Sequence, residues 1–420
     1  MTGALRERLG TARPGEPAWL GALRADALAR FAEQGLPTSR LEDWKYTGSA
    51  LRALDLDALA LAPCAPRIEG GDGAASALGD VLAGARGDSR GEPDDAGLEG
   101  RLGSLADPKR DAFAALNTAC FDGGAVVRVP RGAALDAPVR VAFEAAPGMQ
   151  HPRLWLEAAA TSRAVVVVDF ASRAGAGGGG SLGARFTNAL AELRVGPGAR
   201  LDVVWLQRED DAALHVSRLF ARVERGGSLR VVTLALGGAL VRNDVEVVLA
   251  EEGAAVDLDG LFLGSGTRHV DNHTLVDHAV PHCTSRELYK GVLADRSRGV
   301  FRGRVVVRPD AQKTSAEQRN PNLLLSPHAE IDTKPQLEIW ADDVRCSHGS
   351  TIGQLDRDAL FFLRSRGIAR GDAHRMLVEA FASEVVDDVA ALAGDVLGAA
   401  VRERVRAAIG GAAGLEGAER

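Results

Sequence analysis

The chain holds little cysteine, few aromatics and no long apolar run. Its 420 residues include four cysteines (Cys64, Cys120, Cys283 and Cys346), none in CxxC spacing, which excludes a disulfide framework. Aromatics make up 5%, too few for one large aromatic core, so the Val, Leu and Ala that dominate suit thin, repetitive layers. No segment has 18 uninterrupted apolar residues, so no transmembrane helix is expected. Met1 to Gly10 carries no apolar core of the kind a signal peptide needs, and free thiols then point to a cytoplasmic location. Fifty basic against 57 acidic residues give a net charge of −7, so neither nucleic acid nor an anionic membrane is an expected partner. Nucleophile-elbow (GxSxG) and metalloprotease (HExxH) patterns are missing. The glycine run from Gly175 to Gly183 is followed by neither Gly-Lys-Ser/Thr nor a helix, which removes a phosphate-binding loop.

What is present falls into three zones. Residues 1–120 read as helical with loops. Trp19, Leu20, Leu23, Ala27, Leu28 and Phe31 recur at helical spacing, and Gly35 with Pro37 ends the helix. Residues 62–104, rich in Gly, Ala, Asp and Pro, read as loop or linker with one short helix. Residues 121–354 change period to short alternating runs such as Val127-Arg128-Val129, Val245-Glu246-Val247 and Val305-Val306-Val307. An internal repeat runs through them: Val129-Gly132-Leu135, Val195-Gly198-Leu201 and Val223-Gly226-Leu229. Variants place Gly253 before Val256 and His328 before Ile331. Gly198, Gly226 and Gly253 lie 28 and 27 residues apart, the mark of stacked coils. The expected core is a right-handed parallel β-helix, with an antiparallel sandwich as the competitor. Residues 355–420 return to helices: one capped by Asp356 and closed by Gly367, a second from Gly371-Asp372, and a third over about 395–409.

Two groups of residues carry potential chemistry. In Arg345-Cys346-Ser347-His348-Gly349, an extended backbone puts Cys346 and His348 on one face. A thiolate beside an imidazole suits iron or zinc, but two ligands do not close a site, so a second chain must supply the rest. On residue type alone, a buried Cys and a hydrogen-bonded His is the commoner reading. His269, His273, His278 and His282 hold four of the nine histidines, and a polar ladder along a solenoid edge is preferred to a metal site. Asp257 and Asp259 read as solvated edge residues rather than glycosidase carboxylates.

The block Asn320-Pro321-Asn322-Leu323-Leu324-Leu325-Ser326 leads into Ile331 to Ile339 and Asp342-Asp343-Val344-Arg345-Cys346-Ser347-His348-Gly349. It resembles the signature of the SufB/SufD family of iron–sulfur cluster assembly proteins. Ala359 to Ile368, Glu287 to Leu293, Thr314 to Gln318 and Glu42-Asp43-Trp44-Lys45-Tyr46-Thr47 resemble it too. The likeness is nearer to SufD: Asn320-Pro321-Asn322 stands where SufB proteins have a Cys-Asp-Ser segment, and His348-Gly349 where they have His-Glu. The resemblance implies a non-enzymatic scaffold that pairs with SufB through its β-helix and docks a SufC ATPase through its C-terminal helices. It also implies that the nascent iron–sulfur cluster is held transiently at the SufB–SufD interface. Cys346 and His348 are then the metal-site residues, and Phe361, Phe362, Arg366 and Phe381 are SufC contacts. No nucleotide is expected on this chain, and a homodimer is the expected fallback in isolation. The rivals are a cytosolic β-helix carbohydrate-active enzyme and a purely structural partner of SufB with no metal role.

Overall fold

The computed structural model describes residues 16–71, 73–83, 97–172 and 182–410. Its centre is a parallel β-solenoid of about eight turns. Successive strands alternate between a ten-stranded and a nine-stranded sheet, so each coil adds one strand to each. The strand Leu214–Val223 pairs in parallel with Leu240–Leu249, that with His269–His278, then Arg298–Val307, then Glu330–Ile339. On the facing sheet Ser228–Ala235, Ala255–Gly264, Thr284–Leu293, Ser315–Leu324 and Arg345–Gly353 do the same. Alternation of side chains sends every second residue inward. Register therefore stacks like on like, and Val166, Val203, Val231 and Leu258 form one buried file.

One corner of the coil explains the glycine repeat. Gly132, Gly198, Gly226 and Gly253 all have φ between 61° and 73°. Each backbone N–H of Gly132, Gly198 and Gly226 donates to a carbonyl of the next coil. Thr161, His282 and Lys313 take the same left-handed slot, with φ of 60° to 61°. His328, expected to vary this repeat, belongs instead to the opposite corner, before Glu330–Ile339. A Cβ at Gly226 would meet nothing within 4 Å. Gly226→Ala should thus cost only the left-handed conformation, about 1 kcal/mol, read as a small drop in melting temperature.

Helices cover both outer faces. Helix α1 (Ala18–Gln34) ends at Gly35 with φ of 65°, as its sequence predicts. The stretch 62–104 differs from expectation. Besides the short helix α2 (Leu78–Leu82), it contributes the strands Arg67–Glu69 and Ala75–Ala77, each antiparallel to a core strand. Three-residue strands are too short for alternation to show in sequence. Helix α3 (Ala112–Cys120) is buried along its whole length against the ten-stranded sheet. The segment Glu42–Thr47 crosses that sheet as a clasp. Trp44 stacks on the Arg242 guanidinium at 3.8 Å, Lys334 pairs with Glu42 at 2.7 Å, and Arg302 pairs with Asp43. After the last strand come α4 (Arg357–Ser365), α5 (Arg370–Ala393) and α6 (Asp395–Gly410). Asp356 caps α4 by accepting from the Asp358 and Ala359 amides, and Gly367 has φ of 86°. Helix α5 packs Val378, Ala382, Val385, Val386 and Val389 on the nine-stranded sheet.

Candidate functional site

The solenoid has a closed flank and an open one. The last strands, Glu330–Ile339 and Arg345–Gly353, have only one paired neighbour each along their sheets. Cys346 and His348 lie on Arg345–Gly353, in register with the inward-facing Ala316 and Gln318 of the coil behind. They therefore stand on the interior side of the final coil, where no further coil covers them. Cys346 is half-buried against Val305, Val307, Ala316 and Leu337, while His348 is exposed. The partial burial pushes the Cys346 thiol upward, so in the isolated chain it stays protonated near neutral pH. The arrangement puts one thiol and one imidazole on the same face of the last strand.

The four histidines of the second group do not converge. His269 and His273 point outward on His269–His278, flanking Asp271. His269 Nε2 meets Thr47 Oγ1 at 2.8 Å, and His273 Nε2 meets Asp271 at 3.0 Å. Both belong to the clasp. His278 faces inward and meets Ser285 Oγ at 2.9 Å, and burial holds its pKa down at about 4. His282 is a corner residue. No group of three or more His, Cys, Asp or Glu able to hold a metal occurs among the described residues. The glycine run lies outside the described residues up to Ser181. Asp259 is locked between Arg230 at 3.0 Å and Arg286 at 2.9 Å, which ties up one of the two glycosidase candidates.

The residues expected to contact SufC divide. Phe361 and Phe362 on α4 are 74% and 55% exposed, and Arg366 stacks over the Phe362 ring at 4.6 Å. Phe381, on α5, is half-buried and packs on the core. Its carbonyl accepts from Lys290 Nζ at 2.9 Å. Sequence reasoning missed two features. Arg242 is buried between Asp244 and Asp271 under Trp44, and Glu287 is buried inside the last coils with no cation beside it. Its own strand gave no signal, because Leu288 and Val292 on the outward face are as buried, beneath α5, as the inward residues.

A parallel β-solenoid with helices on both faces and a thiol and an imidazole on the edge of its last coil defines the fold class. Comparison with known proteins gives that class its family. Residues 141–381 match the family model described as SUF system FeS cluster assembly, SufBD core domain. The iron–sulfur cluster assembly protein SufD of Escherichia coli is 30% identical over 86% of this chain and 87% of its own length. A SufBD family protein of Synechocystis sp. is 32% identical over 70% of this chain, which spans 65% of that relative. The chain belongs to the SufB/SufD family of iron–sulfur cluster assembly proteins. No helix among the described residues is long and apolar enough to cross a membrane.

Proposed function

We propose that this chain is a SufD-like scaffold subunit whose open solenoid edge pairs with a SufB subunit and lends Cys346 and His348 to the site where a nascent cluster is held. The observation that carries the reading is the placement of those two residues on the uncovered interior side of the last coil. Iron and sulfide are cargo here, bound and passed on. A thiolate and an imidazole suit that cargo, and the remaining ligands come from the facing subunit. The exposed Phe361, Phe362 and Arg366 of α4 support docking of a SufC ATPase, whose nucleotide-driven movement would reach the solenoid through α5. Asn320 and Asn322 are hydrogen-bonded to each other and to the backbone inside the coil, a structural use that agrees with SufB supplying the sulfur-receiving cysteine.

His348→Ala and Cys346→Ala should fold and still co-purify with the partner subunits, yet fail to mature iron–sulfur client enzymes in cells. Normal client maturation by both variants would leave only the structural-partner reading. A second outcome, loss of co-purification, would instead assign the pair to subunit pairing.

A further inference from the structure

The interior file that ends at His348 changes character abruptly. It runs Val166, Val203, Val231, Leu258, then Glu287, Gln318 and His348. Glu287 is 0% exposed and Gln318 is 1%. Glu287 Oε2 accepts from Thr274 Oγ1 at 2.6 Å and from Gln318 Nε2 at 3.1 Å. Glu287 Oε1 and Gln318 Oε1 are both buried and without a partner. Gly303 on the facing sheet keeps this space: a methyl group there would overlap the Gln318 amide.

A buried carboxylate with no cation is costly, and a Val or Leu continuing the file would stack without that cost. The groups facing Glu287 are few. Its own strand offers Ser285 and Tyr289, the strand behind offers Leu258, and the strand ahead offers Gln318. The facing sheet offers Asn272, Thr274, Val276, Phe301, Gly303 and Val305. The titratable groups among the interior residues nearby are Tyr289, His278 and, one coil beyond Gln318, His348. Asp259, on the outer face, adds a further negative charge near Tyr289. Burial pushes the Glu287 carboxyl up to about 7. Because the Gln318 amide already donates to Glu287 Oε2, one proton on Oε1 would let the carboxyl and the amide pair through two bonds and satisfy both orphaned oxygens. Loss of that proton leaves Gln318 Oε1 free. The next rung, about 4.8 Å on, is His348, in register with Gln318 on the same inward face.

We propose that Glu287 is a positioning residue for His348: as a carboxylate it leaves Gln318 Oε1 to accept the His348 ring N–H, and as a carboxylic acid it occupies that oxygen. A metal-binding histidine is ordinarily fixed in one tautomer by such an acceptor, which turns the other ring nitrogen toward the metal. The inference deepens the proposed function, since it assumes that His348 is a ligand for cargo. No proton leaves the protein in the orienting step itself; the carboxyl proton exchanges with solvent as pH crosses its pKa.

The test uses the full-length chain with 15N-labelled histidine, the His348 signal being assigned by its loss in His348→Ala. At pH 8 the wild type should show His348 in one dominant tautomer. Glu287→Gln keeps an oxygen for Thr274 and Gln318 Nε2 but sets a permanent N–H donor against Gln318 Oε1. It should give a mixed-tautomer His348, as should Gln318→Leu. Cobalt(II) binding, read by its thiolate absorption band, should weaken about 10-fold or more in both variants. Wild-type tautomer populations in Glu287→Gln and Gln318→Leu would overturn the positioning role. Unchanged cobalt binding in Cys346→Ala and His348→Ala would instead overturn the edge reading, leaving the tautomer result to stand alone.

Discussion

Arg242→Ala should destabilise the protein by about 3–5 kcal/mol and release the N-terminal clasp. The Arg242 side chain is 1% exposed. Its guanidinium bonds Asp244 at 2.8 Å and Asp271 at 2.7 Å, donates to the Asp43 carbonyl at 2.7 Å and lies under Trp44. Truncation leaves two buried carboxylates short of a cation, and that loss is the expensive part rather than the pairing itself. Triple truncation of Arg242, Asp244 and Asp271, which removes the charge as well as its partners, should cost less than the single change. The effect should appear as a lowered melting temperature together with fast amide exchange in residues 42–56. Acid should mimic it. Burial works against ionisation of Asp271, but His273 and Arg242 overcome it and hold the carboxyl well below its usual range. Asp244 is held down likewise by Arg218 and Arg242. Depressed carboxylates stabilise the fold above their unfolded pKa of about 3.9 and lose that contribution as pH falls toward the folded values. The clasp should therefore loosen on acidification below about pH 4.

The clasp also shows where sequence reading stops. Glu42 to Thr47 resembles a family motif, yet nothing local states its task, because its partners Arg242, His269, Arg302 and Lys334 lie about 200–290 residues away. The coils were legible because their physics is local. Alternation marks the inward face, and a left-handed corner selects Gly. Where His282 and Lys313 fill that corner the repeat fades, and His328 mimics it from the other side. The Cys346–His348 pair was legible as one face of an extended strand. That the face lies on the open interior depends on which coil is last, which no short window of sequence contains. Glu287 was hidden because its strand is buried on both faces, and its significance needs Gln318 and His348 stacked in the coils beyond it.

A second large effect should separate the C-terminal helices from the solenoid without unfolding it. Val385 is fully buried, and with Val378, Ala382, Val386 and Val389 it forms the face of α5 that meets Val204, Leu206, Val232, Leu234 and Leu261. Each such side chain contributes about 1.5–3 kcal/mol by leaving water. The polar ties around this face are partial: Lys290 to Glu384 at 2.8 Å, and Arg230 to Asp388. Val385→Asp places a charge among these valines with its nearby cations already paired, so undocking costs less than keeping the charge buried. The expected loss in docking free energy is about 4 kcal/mol or more. Amide exchange should accelerate throughout residues 370–407 while the inward files from Val166 to Leu258 stay protected. Cooperative unfolding of the whole chain would show that the helical layer is integral to the solenoid. Selective release would show two coupled parts, with α5 as the element through which any pull on the exposed Phe361 and Phe362 must pass before it reaches the coils.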